Sequence, residues 1–112
     1  SAFKIYVCNV ATQPGETGGY DLEAHVRALL DHVGPDVCDV VIGNHNVNLA
    51  LSPESGSEAV RPSYTTGMYP PVVLRDLVDS GLPWRHDPGK LAAVVMELYG
   101  AHVAGVAVDA TA

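Results

Sequence analysis

A chain of 112 residues can build one hydrophobic core and is too short for two domains. With 47% hydrophobic and 17% charged residues it belongs with folded proteins, not disordered ones. The net charge of -7, with six Lys and Arg residues scattered singly, excludes the cationic stripe that nucleic acids or anionic membranes require.

In chain order, the first element is the apolar, β-rich run Phe3 to Val10, which reads as a strand buried on both faces. Residues 11–20 (ATQPGETGGY) break it with one proline and three glycines. A helix is then expected, because Leu22, Val26, Leu29, Leu30 and Val33 recur at helical spacing. Asp21 is its N-cap, and Gly34-Pro35 stops it. Val37 to Gly43 reads as a second buried strand, so the opening half is a βαβ unit with parallel strands and a right-handed crossover.

From His45 to Tyr69 periodicity is lost, and a connection this long predicts either a short helix near Ser55 to Val60 or a segment covering a site. Pro71 to Leu74 reads as a third strand. The last helix is the best signalled: Asp87 as N-cap, Pro88 at N1, an apolar stripe of Leu91, Val94, Val95 and Leu98, and Gly100 as the stop. Residues 101–112 are expected to form a flexible tail.

Three parallel strands and two helices leave a sheet edge open, so further strands are expected upstream in a larger domain of which residues 1–112 form the carboxy-terminal part. The open edge also suggests homo-oligomerisation. No apolar run is long enough to span a bilayer and the first residues do not form a signal peptide, so a cytoplasmic location is expected. Cys8 and Cys38 fall inside apolar runs and read as buried thiols.

Two places could carry chemistry. In open α/β sheets ligands bind beyond the carboxyl ends of the strands, and a helix N-terminus there offers N–H groups to a phosphate. The loop after the first strand lies at such a point: Gly15, Gly18 and Gly19 let backbone amides approach a ligand, Asn9, Thr12, Gln13 and Thr17 add neutral hydrogen-bonding groups, and Tyr20 can stack on a base or bond a sugar. Glu16 is the carboxylate best placed to act as a base or hold a metal. On spacing alone, the same glycines also fit an ordinary βα connection. The second place is Trp84-Arg85-His86-Asp87, where a guanidinium ahead of a helix could grip a diphosphate; the plain alternative has Asp87 as an N-cap, Arg85 in solvent and His86 packed or exposed. Asn44, with His45 and Asn46, follows the second strand near the same rim. The five histidines make no metal signature.

The residues Tyr6 to Asn9, then Thr12-Gln-Pro-Gly-Glu-Thr17 and Gly19-Tyr20, then Asp21 through Gly34, resemble the gluconeogenesis factor family. This is the YvcK-like branch of the 2-phospho-L-lactate transferase (CofD-like) superfamily. Asp76-Leu-Val-Asp79 and Arg85-His-Asp-Pro-Gly-Lys-Leu91 are similar to that branch's carboxy-terminal signature.

The resemblance implies a Rossmann-like α/β fold, incomplete here because the family's glycine-rich amino-terminal phosphate loop is absent. It implies binding of UDP-N-acetylglucosamine, with Tyr20 and Arg85 as sugar-nucleotide contacts and Asn9, Thr12 and Gln13 lining the site. It also implies a role in cell shape, peptidoglycan precursor supply and gluconeogenic growth. Pro88 stands where some members carry a phosphorylated threonine, so this chain departs from that regulation. Two activities follow: a nucleotide-sugar sensor without chemistry, or a transferase acting on a diphosphate-linked substrate with Mg2+.

Overall fold

The computed structural model describes residues 3–12, 19–48, 51, 56–65, 69–79, 81–82 and 85–106. The elements are β1 (Ile5–Val7), α1 (Leu22–Val33), β2 (Val40–Asn44), β3 (Val72–Arg75) and α2 (Pro88–Ala104). The strands form one sheet in the order β1-β2-β3. Both pairings are parallel, with Tyr6 opposite Val41 and Ile42 opposite Val73. The expected α/β architecture with a parallel sheet is present.

Strand residues alternate between two faces, and this alternation separates two cores. On one face Val41 and Val72 pack with Leu22 and Val26 of α1, together with Cys8 and Cys38. On the other, Val40, Ile42 and Val73 pack with Val94 and Leu98 of α2. The sheet is thus the middle of three layers, and β2, buried at all five positions, is its centre. Burying each large aliphatic side chain there contributes about 1.5–3 kcal/mol. Cys8 and Cys38 are free, buried thiols, as their apolar surroundings predicted.

The strands are shorter than the apolar runs that announce them. Past Val7 the chain stays extended but changes partner: the Cys8 N–H still donates to Ile42 O at 3.0 Å, after which Ala11 pairs antiparallel with Ala59. This corrects the helix expected near Ser55 to Val60. Residues 56–60 are non-helical, with Ala59 in that antiparallel bridge, and Ser55 lies outside the described residues. Val60 is an apolar anchor in the α1-side core, and no helical stripe surrounds it.

Helix α1 begins and ends where expected, with the Asp21 carboxylate accepting from the Ala24 N–H at 2.9 Å. Val33 is 63% exposed and does not join its buried stripe. Helix α2 begins at Pro88 but does not stop at Gly100; it runs to Ala104. A glycine inside a helix costs only about 1 kcal/mol relative to alanine. Gly105, at φ 70°, provides the left-handed stop instead, and the Val106 N–H closes on Ala101 O at 2.9 Å. Stacking of His102 on Phe3, with ring centroids 4.3 Å apart, fastens this last stretch to the start of the sheet. Residues 107–112 of the expected tail lie outside the described residues.

Candidate functional site

The parallel strands all point their carboxyl ends at one rim, and α1 and α2 both start there on opposite faces of the sheet. The start of α2 is tied to the end of β1. His86 Nε2 lies 3.0 Å from Cys8 O, 78 positions earlier in the chain. A carbonyl only accepts, so Nε2 carries the proton in this bond, and Nδ1 of the neutral ring remains an acceptor. Arg85 is held beside it by backbone bonds: its N–H donates to Leu82 O at 3.1 Å and its carbonyl accepts from Asp79 at 3.3 Å. Asp79 shapes that turn by accepting the Gly81 and Leu82 N–H groups at 2.9 and 3.1 Å. The Arg85 guanidinium is exposed and forms no ion pair among the described residues.

At the ends of β2 and β3 the polar side chains bond one another. Asn44 Oδ1 accepts from Leu77 N at 3.0 Å and Asn46 N at 3.2 Å, while its Nδ2 donates to Asn46 O at 2.7 Å. Asn44 is therefore a clamp between two strand ends, buried at 5% exposure, and little of its side chain is left for a ligand. Asp76 accepts from Asn46 Nδ2, the Val78 N–H and the Lys90 ammonium. The Lys90 contact is the main reason its carboxyl titrates below the usual carboxylate range, helped by the Val78 N–H. Asp76, Asn46 and Lys90 were not among the predicted site residues. The Asp-x-x-Asp spacing and the lysine three positions after Asp87 were the available signals.

At α1 the expectation of open N–H groups is corrected. The connecting segment between β2 and β3 crosses this helix start, and its carbonyls of Arg61 and Ser63 accept from Leu22 N at 2.8 Å and Glu23 N at 3.1 Å. Asp21 takes the next two, through its carboxylate for Ala24 and its carbonyl for His25. The start of α2 is likewise closed, because Asp87 accepts from Gly89 and Lys90 at 2.8 and 3.0 Å. Each helix start thus has its donors occupied and a carboxylate in place, which opposes a phosphate there. Among the described residues the group suited to an anion is the Arg85 guanidinium.

The predicted site residues separate into three groups. Gln13, Gly15, Glu16 and Thr17, with Gly18, lie outside the described residues. Thr12 is turned inward at 3% exposure, its hydroxyl accepting from Glu58 N at 3.0 Å. Its surroundings make it a fastener for the crossing segment. Asn9, Tyr20 and Arg85 are exposed, and His86 is half-buried. The Cys8 thiol, directly under this rim, is pushed up to about 12 by burial, so it stays protonated and is a poor nucleophile. Burial likewise raises the Tyr6 phenol to about 12. Among the described residues no three His, Cys, Asp or Glu side chains gather to hold a metal, and Asp76 is already committed to Lys90. Among the described residues the rim therefore presents an exposed guanidinium, a ring nitrogen, an amide side chain and an aromatic ring.

A family model described as 2-phospho-L-lactate transferase CofD matches residues 1–66. The chain belongs to the CofD family. Its relatives within that family are gluconeogenesis factors. That of Halalkalibacterium halodurans is 34% identical over 74 residues, covering 66% of this chain and 20% of the relative. That of Bacillus subtilis is 31% identical over 104 residues, covering 87% of this chain and 33% of the relative. The crystal structure of a UPF0052 family member from Bacillus halodurans superposes with a TM-score of 0.72 at 26% identity, over 86% of this chain and 33% of that one. This CofD-family chain thus spans between a fifth and a third of the length of these relatives. Among its described residues no helix is long and apolar enough to cross a membrane.

Proposed function

We propose that this chain contributes the Arg85 side of a nucleotide-sugar site in a cytoplasmic regulatory protein of the gluconeogenesis factor type. UDP-N-acetylglucosamine is the expected ligand. The observation that carries this reading is the exposed Arg85 guanidinium, without an ion pair among the described residues, next to the His86 that bonds Cys8 O at the carboxyl ends of parallel strands. A planar fork at such a place suits the two phosphates of a nucleoside diphosphate. Tyr20, exposed at the start of α1, suits the ring of a base or sugar. Glu16 and Gly15, outside the described residues, belong to the same proposal. In this reading the ligand reports on peptidoglycan precursor supply, and the protein links it to cell shape and gluconeogenic growth. Self-association through the outer edge of β1 belongs to the same proposal.

The second reading is a transferase acting on a diphosphate-linked substrate with Mg2+, and the name of the matching family model favours it. Calorimetric titration with UDP-N-acetylglucosamine, with and without magnesium, separates the two. Saturable binding without turnover, lost in Arg85→Ala, supports the sensor; consumption of the sugar nucleotide supports the transferase. Absence of binding to the full-length protein under both conditions would end the first reading; silence from this chain alone would show that the rest of the protein completes the site.

A further inference from the structure

The start of α1 holds one polar atom that the fold leaves unsatisfied. His25 is a buried polar residue, at 6% exposure. Its Nδ1 lies 2.9 Å from the Asp21 carbonyl, so the ring bends back over the first turn and Nδ1 must be the donor. Nε2 is then an acceptor in the neutral ring. It is buried without a partner, the one such side-chain nitrogen or oxygen among the described residues. A buried acceptor left unpaired costs on the order of 1–3 kcal/mol, so its persistence calls for a partner supplied from outside the fold. A trapped water would need two to four polar neighbours. Tyr20 instead meets the imidazole as an aromatic ring, edge-on at 5.3 Å and 82°.

We infer that His25 reads the bound molecule: its Nε2 accepts a hydrogen from a neutral donor, a hydroxyl or an amide N–H, of the ligand lying against Tyr20 at the start of α1. The inference rests on the nucleotide-sugar reading above and adds a division of labour to it. An anion is wrong for this position, because a lone pair repels it, the Asp21 carboxylate stands beside it and the helix N–H groups are taken. The diphosphate is therefore kept off His25, which takes the sugar or nucleoside. Tyr20 is 36% exposed and makes no hydrogen bond among the described residues, so rotation of its side chain is the motion that admits the ligand.

Two measurements on the full-length protein test this. In the first, histidine ring nitrogens are labelled with 15N and UDP-N-acetylglucosamine, UDP and uridine are titrated separately. The His25 Nε2 resonance should move on binding, and the smallest probe that moves it identifies the donor. In the second, His25→Phe keeps an aromatic edge for Tyr20 but removes the acceptor. The Asp21 carbonyl retains its bond from the His25 backbone N–H. This variant should bind UDP-N-acetylglucosamine about tenfold more weakly, the worth of one neutral hydrogen bond. Its melting temperature without ligand should equal or exceed that of the unsubstituted chain.

Binding that leaves the Nε2 resonance in place, or unchanged affinity in His25→Phe, overturns the inference while the Arg85 site stands. No binding of any of the three probes overturns both. If His25→Phe does not fold, the resonance of the unsubstituted protein decides.

Discussion

The two helix starts at the rim solve one problem by different means. Helix α2 is capped from within its own sequence, with Asp87 accepting from Gly89 and Lys90. Helix α1 gets only part of its capping locally; the carbonyls of Arg61 and Ser63, some forty residues downstream, take its first two N–H groups. A local cap forms with the helix, whereas a borrowed cap requires the tertiary fold to be in place first. Stability at α1 should accordingly depend on packing, and stability at α2 on its N-cap.

The largest effect should come from Leu22→Ala. Leu22 is the first residue of α1 and is 1% exposed, so truncation should cost about 2–5 kcal/mol in denaturant melts. A cost under about 1 kcal/mol would break the contrast. Next is Gly43→Ala in β2. A Cβ there would meet Leu74 Cδ2 at 2.9 Å and Leu22 Cδ2 at 3.0 Å, an overpacking worth about 1–3 kcal/mol. The penalty should shrink in a Leu22→Ala background, where the new methyl has room; full additivity would show that Leu22 does not press on the sheet.

The caps themselves come third. Asp87→Ala should cost about 1–2 kcal/mol and Asp21→Ala about 0.5–1 kcal/mol, since Asp21's carboxylate serves one N–H and Asp87's serves two. The reverse order would contradict the borrowed cap. Gly100→Ala should stabilise α2 by about 0.5–1 kcal/mol, because no atom lies within 4 Å of the added methyl.

The smallest effect is in acid. Asp76 has its folded pKa lowered chiefly by Lys90, and Glu23 chiefly by the Thr65 hydroxyl. A lowered folded pKa gives stability that is complete above the unfolded value, about 4, and is lost as pH falls through the folded value. The Asp76–Lys90 pair is largely exposed, and its contribution should stay below about 1 kcal/mol. Melts between pH 7 and pH 2.5 should show a shallower acid decline in Asp76→Asn than in the unsubstituted chain.

The same contrast explains what could be read from the chain beforehand. Local chemistry was legible: Asp21 and Asp87 as caps, the apolar run through Val40 to Ile42, and the stripe ending in Leu98. Gly100 misled because a glycine stops a helix only where the backbone turns left-handed, and that turn waits for Gly105. Residues 56–65 were unreadable because their role is to lend backbone carbonyls to α1, and a carbonyl has no sequence signature. For the same reason the helix starts seemed open to phosphate when their donors were already occupied. Asn44 and Thr12 were recognised as polar groups near the rim, but only the geometry shows them bonding their neighbours. The orphaned Nε2 of His25 was invisible for a related cause: a helical histidine declares its position but not its partners.

The contact between His86 and Cys8 O joins nearly the two ends of the described chain. Contacts so far apart in sequence bear the full entropy of loop closure and tend to form late. During synthesis β1, α1 and β2 can dock well before Arg85 and His86 have been made. A nascent chain halted before α2 would therefore hold its three strands without the bond that ties the start of the last helix to the end of the first strand.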